Sequence, residues 1–373
     1  MVKTAVIGAG ILGLATAVRL KRRGHDITVF DPEPALGASY AAAGMLAPVA
    51  EVQFGQDGLL PTMQKALEEY PEFLKMLGVA PEAVGFETAG TLLVAADSGD
   101  REHLERMERA YAARGLTFNH LPGSGLARLE SGLAPGLAAG AEIPGDLRID
   151  PRRLMEVMLG ALESSPVVRQ RVTRIAGATV ETADGRQHPF DTTVVAAGMG
   201  IAGIAGLPED AKPTLRPVYG DVIRVRTPDS RLRFGPLVQR TVRAVVAGRS
   251  VYIVPRANGE IVIGASVRED RPETDLGSVA DLLADAVTVV PGLRDCDLVD
   301  VTTRARPTAE DDMPVVTRTE VPCHSSAGPE ANPAGTSAVV VAGGLSRHGI
   351  LLTPYISRLA AQAAETHPEG KIP

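Results

Sequence analysis

The chain has 373 residues, 45% of them hydrophobic and 22% charged, enough for two interlocked domains of about 100 to 200 residues each. Its 38 Lys and Arg against 45 Asp and Glu give a net charge of -7, and it has no Trp, six Tyr and seven Phe. That balance excludes a global positive field for nucleic acid or an anionic membrane and leaves few stacking platforms for bases.

Two cysteines, Cys296 and Cys323, cannot build a disulfide framework, and the seven His lack ligand spacing, so reduced thiols and no metal are expected. Residues 1–10 carry no secretory signal pattern, which points to the cytoplasm. The longest uncharged run, Thr192 to Pro208, is broken by Gly198, Gly200, Gly203 and Gly206 and falls short of the roughly 18 residues of a membrane span. It reads as a buried strand followed by a glycine turn.

Thr4 to Ile7 reads as a strand, Gly8-Ala9-Gly10-Ile11-Leu12-Gly13 follows, and Leu14, Ala17, Val18 and Leu20 then recur with helical spacing up to a stop at Gly24. A second strand, Ile27 to Phe30, ends in Asp31. In such a unit Gly8 makes the turn, Gly10 lets backbone approach a diphosphate and Gly13 lets helix and strand pack closely. The helix N-terminus, with the N–H groups of Ile11 and Leu12, favours the negative charge. Asp31, 18 residues after Gly13, is placed to accept ribose hydroxyls and would repel a 2'-phosphate. A turn without ligand is the plain alternative, and the motif does not separate NAD from FAD.

The run Ala38 to Pro48, which includes Ser39, Ala42, Ala43, Gly44 and Met45, has small residues at almost every position; alone it could be a tightly packed helix. Leu92 to Ala95 reads as a strand, Glu102 to Arg114 and Arg152 to Leu162 as helices, and Val172 to Ile175 and Thr193 to Ala197 as short strands. From Val218 to Ser266 the pattern is alternating strands, with Val251–Val254 facing Ile261–Ile263 across an Asn258-Gly259 turn. Helix Val279 to Val290, a loop over His324 to Ser337, strand Ala338 to Ala342 and a helix from Ile350 or Thr353 to Glu365 complete the chain.

The expected fold class is α/β: a Rossmann-type nucleotide-binding domain from residues 1–85, 145–215 and 300–373, with an inserted α+β substrate domain, 86–144 and 216–299, built on an antiparallel sheet.

From the small-residue run onward the sequence resembles the glycine oxidases of thiazole biosynthesis, within the D-amino-acid oxidase-like family of FAD amine oxidases, whose fold is glutathione-reductase-like. The resemblance is patchy but spans most of the chain. It takes in Glu51 and Phe54-Gly55, Glu69-Tyr70-Pro71, Gly145-Asp146 and Ile149-Asp150-Pro151. It implies that Ser39, Ala42, Ala43, Gly44 and Met45 let backbone lie against flavin and diphosphate, and that Val172, Ala197 and Gly198 lie near the adenine.

The resemblance further implies that Tyr252 and Arg306 hold an amino-acid carboxylate, Arg306 as a bidentate, charge-assisted partner. A core aromatic and a solvated arginine are the ordinary alternatives. The patch Gly344, Arg347, His348, Gly349, Ile350 and Leu351 looks like the flavin-ring end, with Arg347 beside the pyrimidine and near the substrate. It favours FAD, held non-covalently, over NAD. Three departures bear on pocket shape: His348 stands where asparagine is commoner, Leu345-Ser346 replaces a His-aromatic pair, and Met199-Gly200 stands where tryptophan is frequent.

The implied activity is oxidation of glycine or another small amino acid, with hydride passing to flavin and O2 as acceptor, in a homo-oligomer, a tetramer by resemblance. A sarcosine or D-amino-acid oxidase, a dehydrogenase with another acceptor, and a redox-silent nucleotide-binding protein are the alternatives.

Overall fold

The computed structural model describes residues 1–52, 55–322 and 336–365. Strand Lys3–Ile7, helix Ile11–Arg22 and strand Asp26–Phe30 form the expected unit, the two strands being parallel. They are the centre of a six-stranded sheet. Its order is 315–322, 336–343, 192–195, 3–7, 26–30 and 167–168, parallel except for the antiparallel edge strand Val315–Pro322. The Val-rich strands Thr192–Val195 and Thr336–Gly343 are buried almost throughout, as parallel strands covered on both faces must be. Helices Ile11–Arg22, Pro151–Ala161 and Gly349–Glu365 cover one face, and a three-stranded sheet, 172–176, 179–182 and 187–189, covers the other.

Two glycines fix the first turn. Gly8 has φ +105°, and a Cβ on Gly13 would overlap the Gly8 carbonyl, so helix and turn can approach this closely only without a side chain. The chain is also more regular at the helix ends than its periodicity suggests. Asp97 and Asp275 cap their helices by accepting N–H from Asp100 and Ser278, so the helices begin at Ser98 and Leu276, ahead of the expected Glu102 and Val279. The last helix begins at Gly349 and runs through Pro354. Proline removes the N–H that Ile350 would otherwise receive, and the buried Tyr70 hydroxyl donates to that carbonyl instead, at 2.5 Å.

The second sheet has eight strands in the order 297–309, 215–226, 260–264, 249–255, 241–246, 91–95, 139–143 and 119–122. It is antiparallel but for one pair: Thr91–Ala95 runs parallel to Thr241–Val246, where the two inserted segments meet. Strand Asp297–Ala309 pairs along its whole length with Leu215–Arg226, so residues 300–309 join this sheet, although sequence alone groups them with the nucleotide-binding domain. Alternation sorts the sheet's faces: Ile223, Ile253 and Ile263 pack beneath helix Leu276–Val289, while Val222, Val254 and Val262 face Ala41 and Ala43.

Thr336 and Ser337, expected in a loop, are strand residues paired to Pro322 and Val321; the rest of that loop, with Cys323, and Phe54 lie outside the described residues. Among the described residues no helix is long and apolar enough to cross a membrane, and no group of three His, Cys, Asp or Glu could hold a metal.

Gly13→Ala forces a methyl onto a carbonyl that cannot move without distorting strand Lys3–Ile7. We expect a thermal midpoint lowered by several degrees, measured by circular dichroism; an unchanged midpoint would show that the turn has slack.

Candidate active site

The glycine turn is braced by the acid that follows the second strand. Asp31 accepts the Ala9 N–H at 2.6 Å and the Glu33 N–H at 2.8 Å, and the Ile11 N–H donates to Ser39 Oγ at 3.1 Å. Gly10, the N-cap residue, brings no side chain over the first turn of the helix, which leaves a cradle open to a negative group. Val172 shares an apolar cluster with Phe30, and Ala197 packs against it; Gly198 follows with φ +54°. Val172 belongs to the three-stranded sheet packed on the parallel one, and Ala197 and Gly198 follow its central strand Thr192–Val195.

The small-residue segment is not one helix. A single turn, Ala38–Ala41, ends at Ala42, and Gly44 with φ +78° leads into strand Met45–Leu46. A Cβ on Gly44 would overlap the Ile149 carbonyl. Three arginines pin the segment by its carbonyls. Arg152 donates to Tyr40 O at 3.1 Å, Arg224 to Tyr40 O at 3.2 Å and Ala42 O at 3.4 Å, and Arg256 to Ala43 O at 2.5 Å. Arg256 also donates to Ile149 O at 3.0 Å, and burial lowers its pKa to about 10. None of the three was legible as part of the site, because each acts on main chain far away in sequence.

Tyr252 and Arg306 come together on the sheet face that looks toward this segment. Each lies across a glycine of a neighbouring strand. A Cβ on Gly264 would fall on the Tyr252 hydroxyl, and a Cβ on Gly220 on the Arg306 guanidinium. Arg306 Nη1 donates to Tyr219 O at 3.4 Å and approaches Ser266 O at 3.5 Å, long contacts that leave most of its donor fork for another partner. Burial raises the Tyr252 pKa, and Arg306 works against that shift, so the phenol stays protonated at neutral pH.

A cluster that joins Arg347 and His348 to Glu51 and to Arg243, which sequence reasoning did not single out, borders this face. Arg243, paired across the strands with Tyr252, donates to Glu51 Oε1 at 2.5 Å. His348 Nδ1 lies 3.1 Å from Glu51 Oε2, and its buried Nε2 has no hydrogen-bond partner among the described residues. Arg347 donates to Glu51 O at 3.1 Å and Gln56 Oε1 at 2.6 Å, and burial lowers its pKa. Although burial acts to raise the Glu51 pKa, Arg243 and His348 hold it at about 2. Asp146 closes the turn on its other side. It accepts the N–H groups of Val49 and Ala50 at 3.3 and 3.2 Å, and burial pushes its pKa up to about 7. Gly344, Gly349, Ile350 and Leu351 continue this end, and Ser346 has φ +49°, strained for a residue with a Cβ.

A parallel sheet with a glycine cradle, joined to a sheet that presents polar side chains to a pinned small-residue segment, is the two-domain fold of glutathione-reductase-like FAD proteins. The model of the FAD dependent oxidoreductase family, DAO, matches residues 3–363. The chain belongs to that family, and its cofactor is FAD. The open cradle and the unpartnered His348 Nε2 fit such a group.

The chain is 27% identical over 384 residues to glycine oxidase of Geobacillus kaustophilus, covering 97% of this chain and 92% of that protein. It is 25% identical over 363 residues to the bifunctional protein ThiO/ThiG of Trichormus variabilis. That alignment takes in 95% of this chain, which spans only about half (51%) of the relative's length. The crystal structure of the Geobacillus kaustophilus glycine oxidase superposes with a TM-score of 0.80 at 26% identity, covering 98% of this chain and 95% of that one. An iminodiacetate oxidase from a Chelativorans species superposes with a TM-score of 0.77 at 23% identity over 98% and 97% of the two chains, and so shares the fold.

Gly220→Ala should displace the flexible end of Arg306 while sparing the sheet. The expected result is a raised KM with a thermal midpoint close to wild type, read by steady-state kinetics and a melt. An unchanged KM would count against a substrate contact for Arg306.

For Asp146, the native carboxyl binds a proton up to about pH 7, whereas the unfolded chain releases it near pH 3.9. Its contribution to stability is therefore present below about pH 4 and lost as pH rises to about 7. Asp146→Asn should gain thermal stability relative to wild type as pH is raised from 5 to 8; a constant difference between the two melting curves would contradict this.

Proposed function

We propose that this chain is an FAD-dependent amine oxidase acting on glycine or another small amino acid. The observation that carries the reading is the placement of Tyr252 and Arg306 on one sheet face, each lying across a glycine and both looking toward the pinned segment 38–46. Arg306 takes the substrate carboxylate in a charge-assisted pair, and the Tyr252 hydroxyl orients it. Held this way, the small zwitterion presents its α carbon to the segment carrying Ala43, Gly44 and Met45. With its amine deprotonated, the substrate would lose a hydride and yield an imine, which water converts to an oxo acid and ammonia; bound FAD would supply the two-electron acceptor for that hydride, with O2 reduced to H2O2.

The same reading assigns cofactor contacts along the cradle. Gly8, Gly10, Ile11, Leu12 and Gly13 hold the diphosphate, Asp31 the ribose, and Val172, Ala197 and Gly198 the adenine end. Ser39, Ala42, Ala43, Gly44 and Met45 line the ring. At the pyrimidine end, Gly344, Arg347, His348, Gly349, Ile350 and Leu351 meet the negative charge of the reduced cofactor. The likeness to glycine oxidase over nearly the whole chain supports the substrate class, and the ThiO/ThiG relative supports a place in thiazole formation.

The test is peroxide release with glycine, sarcosine, D-alanine and D-proline. Glycine is expected to be the best of the four. Turnover with a dye but no peroxide would make the protein a dehydrogenase, and no turnover with any amine would leave only nucleotide binding. Arg306→Met should raise KM for the best substrate by about 10- to 100-fold, the worth of a charged hydrogen-bonded pair, and Tyr252→Phe by about tenfold or less. Equal, small effects on both would place neither residue in the pocket.

A further inference from the structure

Another buried carboxylate lies behind Arg306, and none of the steps above uses it. Asp221, in strand Leu215–Arg226, is 0% exposed. Its oxygens accept from Ser266 Oγ at 2.6 Å, Thr303 Oγ1 at 2.5 Å and Arg268 Nη2 at 3.0 Å, and Arg268 Nη1 also donates to it. Its own N–H donates to Ser266 Oγ at 2.8 Å. A buried carboxylate requires such partners, since burial without them costs far more than any single hydrogen bond returns.

The two residues that Asp221 holds on the segment 265–268 also govern the acceptors of Arg306. One acceptor is Ser266 O. The other is Tyr219 O, which also receives the Arg268 N–H at 3.1 Å, while Tyr219 N–H donates to Arg268 O at 2.7 Å. Both carbonyls that steady the Arg306 guanidinium are thus fixed through side chains gripping one carboxylate. The guanidinium has little else to orient it, because Gly220 beneath it has no side chain.

We propose that Asp221 is the positioning residue for the substrate carboxylate: through Ser266 and Arg268 it fixes the two carbonyls that aim Arg306 into the pocket. The proposal rests on the reading of Arg306 as the carboxylate partner. Removing the network lets the guanidinium swing, which weakens the binding of any carboxylate while leaving the redox group where it is.

The test uses purified holoenzyme and acetate, a carboxylate without an amine, titrated while the flavin absorption band is followed. Wild type should give a saturable spectral change, and Arg306→Met should lose it. If Arg306→Met binds acetate like wild type, the reading of Arg306 fails and the proposal with it. With that control in place, Asp221→Asn should weaken acetate at least tenfold and raise KM for the best amine in parallel, with kcat within about threefold of wild type. An unchanged acetate affinity in Asp221→Asn would overturn the proposal alone. Should Asp221→Asn not fold, Ser266→Ala and Arg268→Met carry the test, each expected to weaken acetate by at least threefold, with Arg268→Lys recovering part of the loss. A role confined to stability would lower the melting point and flavin content of these variants without moving the acetate affinity of the folded fraction, and that result would also overturn the proposal.

Discussion

The join between the two sheets depends on arginines that bond to main-chain carbonyls. Arg152, Arg224 and Arg256 come from a helix, a strand and the turn that follows another strand, yet all three converge on the carbonyls of Tyr40, Ala42 and Ala43. A chain of alanines has no side-chain means of holding an extended path. The guanidinium fork supplies it, since it offers several donors in a fixed plane. Arg224 is 1% exposed and carries its counter-charge in Glu260, at 2.9 Å; Arg152 is paired with Asp300 at 2.9 Å and lies 3.5 Å from the centroid of the Tyr40 ring. Each charge is thereby neutralised before it is used as a donor, which is what makes its burial tolerable. Because Arg224 lies in the eight-stranded sheet and Arg256 directly follows one of its strands, that sheet positions the small-residue segment.

What sequence could reveal follows from the range of the interactions. The unit from Lys3 to Asp31 was legible because its glycine spacing, its helical periodicity and its terminal acid are all local. The hairpin around Asn258-Gly259 was legible for the same reason. The parallel pairing of Thr91–Ala95 with Thr241–Val246 was not, since register between strands about 150 residues apart is set by tertiary packing rather than by any pattern within either strand. The small-residue run shows an intermediate case. Its composition is compatible with a packed helix, and only the carbonyl partners contributed from elsewhere end the helix at Ala41.

The same distinction separates the candidate site residues. Tyr252 and Arg306 stand out through a family likeness, but the glycines beneath them, Gly220 and Gly264, become meaningful only when the strands are aligned. Glu51 lay within a noticed patch without a role, because the partners that define it, Arg243 and His348, are roughly 190 and 300 residues away. A buried acid is visible in sequence only as an acid. Its protonation state belongs to the fold.

Glu51 and Asp146 make that point in one turn of chain. Both carboxyls are buried and both touch the segment from Ala47 to Glu51, yet one is held at about 2 and the other rises to about 7. Desolvation acts on each in the same direction. The difference lies in the donors. Glu51 meets a guanidinium and an imidazole, whereas Asp146 meets two main-chain N–H groups and feels the Glu51 charge as a repulsion. The Glu51 carboxylate lies beside Arg243 and Arg347, two guanidiniums that would otherwise repel one another. Below about pH 7, where Asp146 keeps its proton, Glu51 is the carboxylate that balances the arginines here. Arg306 has no carboxylate within bonding distance among the described residues, which under the proposed reading leaves it as the cation for an anionic substrate.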